Sequence, residues 1–192
     1  MQINKEFLKS LNPCDDRYKH FLEHHSDFDG NFIEFLDLGT ISYEDKVLIA
    51  EKVLTKNQAV SWAILCAESV MYIFEANYPG NKRLSKCINF LKSIKDFNNL
   101  TDTEKWEIKK HEDISGVNYV ASAVHYALYT AYYALYAVNY AANYAFHYAA
   151  RSATCAINAA LLAAADTGED ADAARNNQKA LNLQFLRMAC SL

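Results

Sequence analysis

The sequence predicts an all-α fold: a single-domain helical bundle with a long Ala/Tyr-rich helical region. Three observations carry that expectation. The segment from Val117 to Thr167 is dominated by alanine, the strongest helix former, and contains no Gly and no Pro. Its small residues recur at steps of four with occasional steps of three, which keeps them near one face of a helix with 3.6 residues per turn. The whole chain of 192 residues holds only 5 Gly and 2 Pro, too few for the turns of an all-β fold. Hydrophobic residues make up 52% of it, which argues for a packed core and against disorder.

Taken in order, Ile3–Leu11 reads as a short helix stopped by Pro13, and Asp15–His25 as a second. His25–Asn31 is a turn. Phe32–Leu38 is a short apolar helix ended by Gly39. Ser42 opens the next helix, with Asp45 as the acidic partner of a capping box. Asn57 is the expected cap of a helix running to about Asn77, whose apolar positions Val60, Ala63, Ile64, Ala67, Val70, Met71 and Phe74 fit a helical period. Pro79-Gly80 is a turn. Leu84–Ile94 is amphipathic, and Thr101 with Glu104 forms a second capping box before a charged helix to Lys110. The tract follows, Thr167-Gly168 closes it, and Asp170–Ala189 makes a last helix. Residues 1–40 form an N-terminal helical appendage in this reading, and residues 41–192 the main helical domain.

Within the tract a small stripe runs through Ala123, Ala127, Ala131, Ala134, Ala137, Ala141, Ala145, Ala149, Ala153, Ala156 and Ala160. Tyrosine sits directly before many of these, at Tyr126, Tyr133, Tyr136, Tyr140, Tyr144 and Tyr148. One position earlier lies a polar strip of Asn139, Asn143, His147 and Arg151. An alanine strip lets another backbone come close, and a tyrosine strip offers apolar area with a hydroxyl that wants a partner. The ordinary reading of such rings is core packing; the other is an aromatic face for a ligand or a protein. One unbroken helix here would be about 70 Å long, against a radius of gyration of roughly 16 Å for a compact chain of this size. A break is therefore expected, near Arg151–Ser152.

Charge and cysteine usage bound the partners. A formal net charge of −4 gives no basic footprint for a nucleic-acid polymer. Five cysteines, Cys14, Cys66, Cys87, Cys155 and Cys190, are scattered and odd in number, which fits reduced thiols in a cytoplasmic protein. Met1–Asn12 lacks the apolar stretch of a signal peptide, and Asn, His, Arg and Tyr interrupt the tract too often for a membrane span.

The stretch Trp62-Ala63-Ile64-Leu65-Cys66-Ala67-Glu68 is followed by Phe74-Glu75-Ala76-Asn77-Tyr78-Pro79, then Arg83, then Cys87-Ile88. This resembles the Imm-five-like immunity protein family, whose members share a W-A-x-x-C-A-E helix, an F-E-x-x-x-P turn followed by Arg, and a long alanine-rich region with interspersed His. The resemblance covers roughly Lys46 to Ala165. This tract is richer in Tyr and Asn than the family pattern, and Lys95–Lys110 is longer and more charged. What the resemblance implies is a helical protein that binds and neutralises a partner, such as a toxin, rather than a catalyst. The Lys, Asn, Ile and Tyr bias would suit an AT-rich phage or host genome.

Glu68 and Glu75 lie two turns apart on one helix, so both face the same side. Arg83 is the expected partner of Glu75, and His125 or Arg151 that of Glu68; the alternatives are a structural ion pair or the polar floor of a pocket. His125 and His147 are too far apart on a straight helix to share a metal. His24–Asn31 fails as a calcium loop: with Gly30 at the sixth position, Leu36 falls at the twelfth, where a bidentate Glu is needed. His20, His24 and His25 could bind metal adventitiously, and no metal site or cofactor is assigned. No P-loop, dinucleotide turn, HExxH or GxSxG is present.

The expectation is a non-enzymatic binding protein of the immunity or phage counter-defence type, sequestering a toxin or effector protein. The alternatives are a sponge for a nucleotide-like immune signal in a Tyr/Asn/His-lined pocket, and an enzyme using Glu68, Glu75 and His125. Homo-oligomers would suit the alanine faces. The surface expected to bind joins Trp62, Glu68, Glu75 and Arg83 to His125, Tyr126, Tyr133, Tyr140, Asn143, His147 and Arg151 of the tract.

Overall fold

Side-chain caps set most helix starts in this chain. The computed structural model describes residues 1–111, 123–140 and 142–191, and within them omits the side chains of Val124, His125, Ala142 and Asn143. The chain divides into two compact units, Met1–Val53 and Leu54–Leu192.

The first unit holds β1 (Gln2–Ile3), α1 (Lys5–Ser10), α2 (Asp15–His25), β2 (Gly30–Asn31), α3 (Phe32–Leu36) and α4 (Tyr43–Val53). Asn4 caps α1 by accepting from the Phe7 N–H. Asn31 and Glu34 form a reciprocal capping box on α3. Ser42 Oγ accepts from the Asp45 N–H at 3.0 Å and starts α4. The two short strands pair antiparallel, Ile3 opposite Gly30, where helix was expected from Ile3 onward. A side chain at position 30 would meet Glu34 Oε2 at 2.6 Å and the Phe28 ring at 2.8 Å, so this pairing needs glycine. Phe28 packs edge-on against Phe21 and Phe35 inside the unit. The division falls after Val53 rather than after residue 40. Asp45 of α4 takes Arg17 of α2 at 2.7 Å, which keeps α4 with the N-terminal helices.

The second unit holds α5 (Lys56–Asn77), α6 (Arg83–Ser93), α7 (Asp102–His111), α8 (Ala123–Asn139), α9 (Ala142–Thr167) and α10 (Ala171–Cys190). Helix α5 packs against α6, α8, α9 and α10. By length and composition alone α5 could cross a membrane, but a buried core helix passes the same test. Trp62, Ala63, Cys66, Ala67 and Val70 are all buried along it. Its cap is Thr55, in a reciprocal box with Gln58, and not Asn57. Asn57 instead turns to the loop after α6: its Oδ1 accepts from the Phe97 N–H at 2.9 Å and its Nδ2 donates to Asp96 at 3.1 Å.

The Ala/Tyr tract is a helical hairpin. Helix α8 ends at Asn139 and α9 starts at Ala142, so the break falls well before Arg151–Ser152, which lie inside α9. The portion from Val117 to Ser122, and Ala141, lie outside the described residues. Contacts run antiparallel: Tyr140 meets Tyr144, Tyr133 meets Tyr148, and Ser152 meets Thr130. The fold-back brings two alanine stripes face to face. Ala127, Ala131, Ala134 and Ala137 of α8 and Ala145, Ala149, Ala153 and Ala156 of α9 are fully buried. Ser152 Oγ lies 2.9 Å from the Thr130 carbonyl and 3.1 Å from the Ala63 carbonyl, so its proton is shared between α8 and α5. Such reach requires helix axes at the close end of the usual 8–10 Å spacing, roughly, which small residues permit.

Candidate binding surface

The alanines settle where the tyrosines go. With the small face of each helix turned inward, residues one position before it fall at its edge, and the rings of both helices converge along the side of the hairpin. Among the described residues, seven tyrosine rings form one continuous chain. Tyr129 touches Tyr132 and Tyr133, each at 5.9 Å between centroids. Tyr132 lies 4.4 Å from Tyr136, and its hydroxyl donates to that of Tyr136. Tyr148 of α9 inserts among Tyr133, Tyr136 and Tyr140, with Tyr140 nearest at 5.0 Å. Tyr144 extends the chain from Tyr140 at 6.1 Å.

These rings are not core. Tyr129, Tyr132, Tyr133, Tyr136 and Tyr148 are half-buried, Tyr140 is 40% exposed and Tyr144 is 57% exposed. Partial desolvation, and then hydrogen bonding with Tyr140, raises the Tyr148 phenol above its ordinary value. At one edge the Arg151 guanidinium lies 5.5 Å over the Tyr133 ring, with its Nη1 3.4 Å from the Tyr133 hydroxyl. His147 is exposed and sets its ring edge-on to Tyr148 at 5.6 Å. The ridge thus offers ring edges and phenol hydroxyls, with a guanidinium and an imidazole beside them. Tyr126 is half-buried one turn before Thr130, which donates to its carbonyl at 2.7 Å. The side chains of His125 and Asn143 lie outside the described residues.

The α5 part of the expected surface falls elsewhere. Trp62 is fully buried; its indole N–H donates to the Asn182 carbonyl at 3.0 Å and its ring stacks on Phe146. An indole so enclosed is part of the core and does not face a guest. Glu68 pairs with Lys92 of α6 at 2.6 Å, and Glu75 with Lys82 at 3.8 Å. These lysines stand where Arg151 and Arg83 were expected, because α6 and the turn before it flank the polar side of α5; the side chain of His125, the other expected partner of Glu68, lies outside the described residues. Both pairs are partly exposed, so each stabilises by at most about 1 kcal/mol. Arg83 is exposed at the start of α6.

Sequence reasoning missed a buried polar hub on α10. Asn182 is fully buried, and its Oδ1 accepts from Gln178 Nε2 at 3.0 Å and from Cys66 Sγ at 3.4 Å. Its Nδ2 donates to the Ala153 carbonyl at 3.0 Å, and Gln178 also reaches Ser69 at 3.0 Å. One amide therefore ties α5, α9 and α10. The four-residue spacing of Gln178 and Asn182 was the available signal.

Among the described residues, each unit has cavities of its own. One of about 520 Å³ in the first unit is lined by Leu8, Phe21, Phe35 and Leu48. One of about 460 Å³ lies near Lys56, Asn98 and Asn139, and one of about 330 Å³ between α9 and α10 near Ala160 and Gln178. Burial pushes the Cys87 thiol up to about 12 and those of Cys155 and Cys190 to about 11, so these cysteines are protonated at neutral pH and poor nucleophiles. Comparison with protein-family models, with curated proteins and with solved structures gives no match for the chain.

Proposed function

We propose that the protein is a non-enzymatic binding protein of the immunity or phage counter-defence type, which neutralises a toxin or effector protein by sequestering it on the tyrosine ridge of α8 and α9. The observation that carries this reading is the uninterrupted chain of seven tyrosine rings, ending in the exposed Tyr140 and Tyr144, on a hairpin locked by buried alanines. Tyrosine supplies large contact area with few rotatable bonds, and protein-binding surfaces are enriched in it for that reason. A rigid support adds to affinity because little freedom is lost on binding. The rings stack on one another rather than framing a slot for a base, which favours a protein partner over a nucleotide-like one. The Imm-five-like resemblance points the same way, although its Trp62, Ala63, Cys66 and Ala67 support the core and not the surface.

The test is co-expression with candidate toxins in bacterial cells, followed by recovery of the complex. A protective complex is expected, and Tyr144→Ala should weaken it by at least tenfold, a hot-spot loss of about 1.4 kcal/mol or more. Recovery of no candidate toxin, or full protection by a Tyr140→Ala/Tyr144→Ala variant, would count against the reading.

A further inference from the structure

A second group of chemistry-bearing side chains lies on α2, within the first unit. His20, Glu23 and His24 are exposed and occupy one turn of that helix, at positions i, i+3 and i+4. A ring nitrogen of each imidazole and a Glu23 carboxylate oxygen lie within 4.8 Å of one another. The two imidazole centroids are 4.4 Å apart.

Hydrogen bonds decide which nitrogens are free. A carbonyl oxygen only accepts, so an imidazole nitrogen bonded to one must carry the proton. His24 Nδ1 donates to the His20 carbonyl at 2.9 Å, which leaves the lone pair on Nε2. His20 Nε2 donates to the Thr40 carbonyl at 3.1 Å, which leaves the lone pair on Nδ1. Metal-binding histidines use this arrangement, in which a carbonyl holds the far N–H and fixes both the tautomer and the ring orientation. The competing partner of Glu23 is weak: Lys19 stands 3.8 Å away in a well-exposed pair.

We propose that His20, Glu23 and His24 form a binding site for a divalent transition-metal ion, with Nδ1 of His20, Nε2 of His24 and one Glu23 oxygen as its ligands. Two imidazoles and a carboxylate suit zinc and its neighbours in the first transition row. Metal–ligand bonds of about 2.0–2.2 Å require the three ligand atoms to draw together, which rotations of exposed side chains supply. Three ligands from one helical turn leave a coordination position open to water or to a group from outside the chain. The ion clips one turn of α2 and stabilises the folded unit by linkage.

The probe is zinc, titrated by calorimetry into the full chain carrying Cys14→Ser, which removes an exposed thiol that could compete for it. One ion per chain is expected. His20→Ala and His24→Ala should each weaken binding by about tenfold or more, and Glu23→Gln by less. His25→Ala removes the neighbouring imidazole, whose Nε2 meets Thr40 Oγ1, and should leave affinity within about twofold. Imidazole ¹⁵N spectra should move at His20 Nδ1 and His24 Nε2. Equal zinc affinity in the parent and in the His20→Ala/His24→Ala double variant would overturn the assignment. So would a loss on His25→Ala as large as that on His24→Ala. The three ligand side chains are exposed and His25 is half-buried, and circular dichroism of each variant confirms that the helices are intact.

Discussion

Asn182 shows how one side chain organises a helical core. Its amide satisfies a carbonyl of α9 while accepting from α5 and from its own helix. Buried polar groups are costly unless every bond is made, so removal of this amide leaves partners stranded. Asn182→Ala should lower unfolding free energy by about 2–3 kcal/mol, measured by urea titration followed by tryptophan fluorescence in a Trp106→Phe background, where Trp62 is the remaining indole. A second residue-scale effect belongs to Asp96. Its carboxyl is held at about 2, below the ordinary 3.8, first by the Asn99 amide, then by the Asn98 backbone N–H and the Asn57 amide. A depressed folded value favours the folded state above the unfolded value, and that contribution disappears as pH falls from about 4 towards about 2. Asp96→Asn should therefore flatten the acid limb of the stability curve across that window. An unchanged limb in a pH series of thermal melts would show that the loop after α6 does not depend on this charge.

At the level of helices, the alanine stripe is the feature that positions everything else. Ala149 of α9 has no exposed surface, so Ala149→Leu overpacks the helix seam around it and should cost about 1–3 kcal/mol. Thr154→Leu, on the exposed side of α9, should stay within about 0.5 kcal/mol. Denaturant unfolding of the two variants separates these outcomes. Helix ends were largely legible because caps are local: Asp170 accepts from the N–H groups of Asp172 and Ala173, and Thr101 and Glu104 close the box that opens α7. The cap of α5 was misplaced: Thr55 holds it instead of Asn57, because Gln58 completes its box and Asn57 has partners in the loop after α6. The break between Asn139 and Ala142 was not legible. Every residue near it is compatible with helix, and the decision comes from packing, since only a fold-back there lets Ser152 reach Thr130 and Tyr140 reach Tyr148. The partners of Glu68 and Glu75 were obscured for the same reason. Which lysine flanks α5 depends on how α6 docks, and no local spacing states it.

For the molecule as a whole, the chain separates its packing seam from its ring-bearing edge by residue type. Small residues and the buried amide hub hold the second unit together, while phenol rings that are too large for the alanine seam gather along its edge. The ring strip was visible in the sequence, but not its half-exposed state, because that depends on how close the two backbones come. The proposed working surface is this edge. The most direct test places a photo-crosslinking phenylalanine analogue at Tyr144 and, as a control, at the similarly exposed Trp106, and irradiates cells producing the protein with a candidate toxin. The account predicts a discrete covalent adduct with the toxin from position 144 and none from position 106. An adduct from 106 alone, or equal capture from both positions, would contradict it.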